Sequence, residues 1–77
     1  MQKRLNELKI RDTGTFVSID SEDGSLVSRM AALGIIAGRP FEIKKAGLPG
    51  VIFTATTTSV MLRNDLASLV VVEVPDA

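Results

Sequence analysis

The chain has 77 residues, nine of them basic and nine acidic, so its formal net charge is zero. That length makes one domain, 1–77, and a chain this short buries only about 60% of the surface it exposes when unfolded. Cysteine and histidine are absent, which excludes disulfides, thiolate nucleophiles, Cys-based zinc sites and imidazole bases.

Leu5 and Leu8 are spaced for one turn of helix, with Asn6, Glu7 and Lys9 facing out. Asp12-Thr13-Gly14 signals a turn. Thr15 to Asp20 then alternates as a half-buried strand, with Val17 and Ile19 on the apolar face and Phe16 displaced to the polar one. Ser21 to Ser25 is a polar loop whose last residue can cap a helix. The spacing predicts that helix over Leu26 to Leu33, where Leu26, Val27, Met30, Ala31 and Leu33 fill one broad face. Arg29 falls at the edge of the stripe.

The link from Leu33 to Phe41 is the most informative segment. Gly34 stands where a helix needs a left-handed terminating residue, and Gly38 where the chain turns again before a strand. Ile35 and Ile36 are adjacent, so their side chains diverge and one of them contributes to an exposed apolar patch.

Phe41 and Ile43 alternate with Glu42 and Lys44 in the next strand. Gly47 to Gly50 is a turn, Val51 to Thr57 a β-branched strand, and Thr58-Ser59 a tight connection to Val60–Arg63. Asn64-Asp65 can cap a single turn at Leu66-Ala67. Ser68 to Val74 is nearly continuous Leu and Val, the pattern of a strand buried on both faces. The fold expected is mainly β, a small SH3-like barrel of about five short strands. One short helix lies between the first and second strands and a helical turn precedes the last. An OB-like barrel is the structural rival.

No catalytic constellation emerges. Serines and threonines lack a base to activate them, and the glycines form no phosphate loop, so the chain reads as a non-enzyme without a cofactor. Asp20, Glu22 and Asp23 are the metal candidates, although their spacing matches no calcium loop; the plainer reading is an acidic solvated loop. Balanced charge and the lack of exposed aromatics argue against nucleic acid, and the absence of Tyr and Trp argues against proline-rich ligands. No apolar run is long enough to span a bilayer, and the N-terminus has no signal-peptide core. The expected location is cytoplasmic. Candidate partner-binding residues are Arg29, Met30, Ile36, Arg39 and Arg63, either as a charged rim on an apolar interface or with one arginine supplied in trans to a GTPase. Self-association through an exposed strand edge is a further partner reading.

The order of these parts resembles the FeoA family. The residues that carry the resemblance are Leu5 and Leu8, the strand with Gly14, Val17 and Ile19, and the Arg29-Met30-x-x-Leu33-Gly34-Ile35-x-x-Gly38-x-x-Phe41-x-Ile43 segment. Leu62-Arg63-x-Asp65-x-Ala67 and the Val-rich last strand complete it. Ala37 stands where the family usually has proline, and the first turn, often Pro-Gly in the family, reads Arg11-Asp12-Thr13-Gly14. The resemblance implies a non-catalytic accessory of ferrous-iron uptake that binds the cytosolic part of a FeoB-type membrane GTPase transporter. The same domain ends DtxR-type metal-dependent repressors, so a metal-responsive regulatory domain is the alternative it implies.

Overall fold

A computed structural model describes residues 1–75; the last two positions of the expected domain lie outside the described residues. Six strands form one antiparallel sheet in the order β1-β6-β2-β3-β4-β5. They are β1 (Gln2–Arg4), β2 (Thr13–Ile19), β3 (Pro40–Lys45), β4 (Gly50–Thr54), β5 (Ser59–Arg63) and β6 (Val70–Glu73). A 3-10 turn at Leu5–Glu7 follows β1, α1 (Gly24–Ala32) joins β2 to β3, and α2 (Asn64–Ala67) joins β5 to β6. The sheet curls without closing: β1 and β5 are its two edges, and the 3-10 turn and α2 pack together beneath the gap.

Strand β1 departs from the five-strand expectation. Gln-Lys-Arg offers no apolar alternation, and its extended state comes from pairing with β6, Gln2 opposite Glu73 and Arg4 opposite Val71. Counting it places α1 between the second and third strands. The turn expected at Leu5 and Leu8 is present, with both leucines buried and the Glu7 carboxylate accepting from the Arg4 amide at 2.7 Å.

Phe16 also departs from expectation. It is buried, whereas Val17 and Ile19 are only half-buried. The cause is a bulge against β6, where Phe16 pairs with Val72 but Ser18 pairs with Val71. One extra residue reverses the facing of the strand beyond it. Phe16 thereby stacks on Phe41, centroids 4.7 Å apart, and meets Phe53 edge-on at 5.6 Å. Such pairs add about 0.5–1.5 kcal/mol to what area burial supplies.

Around this aromatic cluster lie Leu5, Ile43, Val51, Leu62, Val70 and Val72, with Met30 from α1. In β3 the expected alternation holds, Phe41 and Ile43 facing inward, and β4 alternates likewise with Val51 and Phe53 inward. β4 stops at Thr54 rather than Thr57, because Ala55–Thr58 makes the connection to β5. β6 lies centrally in the sheet, but only Val70 and Val72 are buried; Val71 is half-buried and Glu73 exposed, so its outer face is not covered as expected. Gly50 permits close approach of β4 to β5, since a Cβ there would run into the Leu62 carbonyl.

Candidate partner-binding surface

Helix α1 begins on Asp23, not Ser25. The Asp23 carboxylate accepts from the amides of Ser25 (3.0 Å) and Leu26 (3.2 Å), filling two of the donors a helix start leaves open. The helix ends in a Schellman motif. Gly34, at φ 101°, donates to the Ala31 carbonyl and Ile35 to the Met30 carbonyl. That geometry carries Ile35 back into the core beside Met30.

The chain then turns at Gly38, φ 85°, with the Arg39 amide donating to the Ile36 carbonyl. Two further bonds tie this link to β2, Gly38 N–H to the Phe16 carbonyl and Phe16 N–H to the Arg39 carbonyl. Ile35 is buried while Ile36 is 43% exposed, the divergence expected of neighbours in an extended link. Leu33, placed by periodicity on the inward stripe, is 42% exposed at the end of α1.

Met30 is the one α1 residue fully buried, at 1% exposure, and so cannot meet a partner directly. Its neighbours on the helix leave apolar ground on either side. One groove, about 300 Å³, runs between α1 and β2 and is lined by Phe16–Ile19, Val27, Ala31 and Ile35–Ala37. The other, about 390 Å³, is lined by Leu26, Arg29, Met30, Ala32 and Leu33 with Leu62 of β5 and Leu66 of α2. α1 stands between them as a ridge.

The arginines do not converge. Arg29 is exposed and borders the second groove. Arg39 is half-buried and extends its guanidinium over Gly34, within 3.7 Å of where a Cβ would sit. There it complements the carbonyl end of α1. Arg63 lies outside both grooves, 3.7 Å from Asp65. Sequence periodicity missed Leu62 and Leu66 as groove residues, because they join α1 only through the tertiary fold.

Asp20, Glu22 and Asp23 do not gather. Asp20 pairs with Arg4 at 3.1 Å, Asp23 caps α1, and Glu22 is exposed. Among the described residues no group of three carboxylates is placed to hold a metal ion.

A six-stranded antiparallel sheet curled over one aliphatic core, with short helices at its open side, defines a small SH3-like β domain. The FeoA domain family model matches residues 3–74, and the chain belongs to that family. Solved structures agree on the fold. A crystal structure of the iron uptake regulatory protein FeoA superposes with a TM-score of 0.85 at 20% identity, covering 94% of this chain and 96% of the other. The FeoA-like protein from Clostridium acetobutylicum gives 0.80 at 21%, covering 95% and 86%. IdeR from T. acidophilum gives 0.85 at 22%, covering 96% of this chain but 34% of its own. Among curated protein sequences none matches.

Proposed function

We propose that the chain is a non-catalytic, cytoplasmic accessory of ferrous-iron uptake that docks on the cytosolic part of a FeoB-type transporter through the α1 ridge. Family membership supports the iron-uptake setting. The observation that carries the docking face is the pair Leu33 and Ile36, both more than two-fifths exposed beside grooves walled by apolar side chains. Apolar groups in that setting are what a partner buries at the centre of an interface, with Arg29 and Arg39 as its polar rim.

No helix of the described residues is long and apolar enough to cross a membrane. Calorimetric titration against the soluble part of such a transporter tests the reading. Ile36→Asp should weaken binding by roughly 30-fold, since a charge replaces an interface anchor worth about 2 kcal/mol. Arg29→Glu should weaken it less and mostly through the on-rate. Unchanged affinity in both variants would remove α1 from the interface.

A further inference from the structure

Net charge is zero, yet the cations are not evenly spread. The Lys9–Arg11 loop and the β3–β4 hairpin tip meet at one end of the sheet, because the Arg11 amide donates to the Ile43 carbonyl and the Ile43 amide to the Asp12 carbonyl. That pairing sets Lys9 and Arg11 at the same end as Lys44 and Lys45. Lys9, Arg11 and Lys45 are exposed and make no ion pair among the described residues; Lys44 pairs with Glu42 at 3.0 Å. Asp12 accepts from the Lys9 amide at 2.8 Å, and Asp65, next to the Asn64 that donates to the Gly47 carbonyl of the hairpin tip, lies 3.7 Å from Arg63. The same two loops carry two of the most exposed large apolar side chains of the molecule, Leu48 at 93% and Ile10 at 57%. Arg11 adds a further mark: it is the non-glycine residue at positive φ among the described residues, at 75°, a conformation glycine would adopt without strain. An uncompensated cation is held in a position whose backbone favours glycine.

We infer that this end is a peripheral contact for an anionic lipid bilayer, with Leu48 and Ile10 entering the headgroup layer and Lys9, Arg11 and Lys45 meeting lipid phosphates. The shape favours a bilayer over a protein partner. The two apolar side chains protrude from separate loop tips, and tips flanked by lysine and arginine suit a flat, negatively charged, penetrable surface. The acidic loop Asp20–Asp23 follows the far end of β2, seven residues and about 20 Å away, so the charge asymmetry orients the molecule on that surface. Ile36, in the link that enters β3 at Pro40, lies away from the hairpin tip and stays open to another partner. The inference stands independently of the transporter reading.

Co-sedimentation of the purified chain with vesicles is the test. The probes are phosphatidylcholine vesicles and vesicles of phosphatidylcholine and phosphatidylglycerol in about equal parts. Binding should be at least roughly tenfold stronger to the anionic vesicles and should fall with added salt. Lys45→Glu and Leu48→Ser should each lower it by about fivefold or more, without changing the circular dichroism of the fold, since both side chains are exposed. Ile36→Asp should bind vesicles as the parent does. Equal binding to both vesicle types, or unchanged binding by both loop variants, would overturn the inference. So would failure to bind either vesicle type, including where an acidic protein is bound instead.

Discussion

Arg11 shows how much one residue's conformation can reveal. Its φ of 75° costs an L-residue about 1–2 kcal/mol relative to the right-handed regions. Arg11→Gly should therefore raise stability by about 1 kcal/mol, a Tm increase of roughly 4–8 °C in a domain this small, measurable by thermal denaturation. No rise in Tm would mean that the loop is not strained. At this scale much of the core was legible. Phe41 and Ile43 are inward where alternation puts them. Phe16 was not, because a bulge is a relation between two strands and leaves no mark on one. Met30 was misassigned for a related reason: a helical stripe says which residues share a face, not which of them the sheet covers. Met30 is sealed against the core while Leu33, on the same stripe, is left open.

At the scale of elements, α1 needs its packing on the core and both of its ends. Nine residues are too few for a helix stable in isolation, and one side chain is fully buried. The Asp23 cap and the Gly34 stop therefore contribute to its stability. Asp23→Ala should destabilise the protein by about 1 kcal/mol in chemical denaturation, whereas Ser25→Ala should cost little, because Ser25 lies inside the helix as a donor. Equal losses in the two variants would put the cap elsewhere. The glycine-bounded link from Gly34 to Gly38 was readable because positive φ restricts residue choice locally. Strand β1 was unreadable because Gln2-Lys3-Arg4 owes its conformation to β6, some 70 residues away along the chain.

On the scale of the whole molecule, β2 and β3 separate two surfaces. Ile36, in the link that enters β3 at Pro40, lies at one end, and the cationic loops with Leu48 and Ile10 at the other. Composition reported only their sum, a neutral chain. The segregation follows from topology, which sets the Lys9–Arg11 loop against β3. The grooves beside α1 likewise depend on Leu62 and Leu66, which reach it from distant parts of the chain.

The most direct test of the α1 ridge as the docking face is amide chemical-shift mapping of the labelled chain during titration with the soluble part of a FeoB-type transporter. Changes should concentrate in Leu26–Arg39 and Leu62–Leu66 and be lost in Ile36→Asp. Changes confined to β1, β6 and the Lys9–Arg11 loop, with 26–39 unmoved, would contradict it.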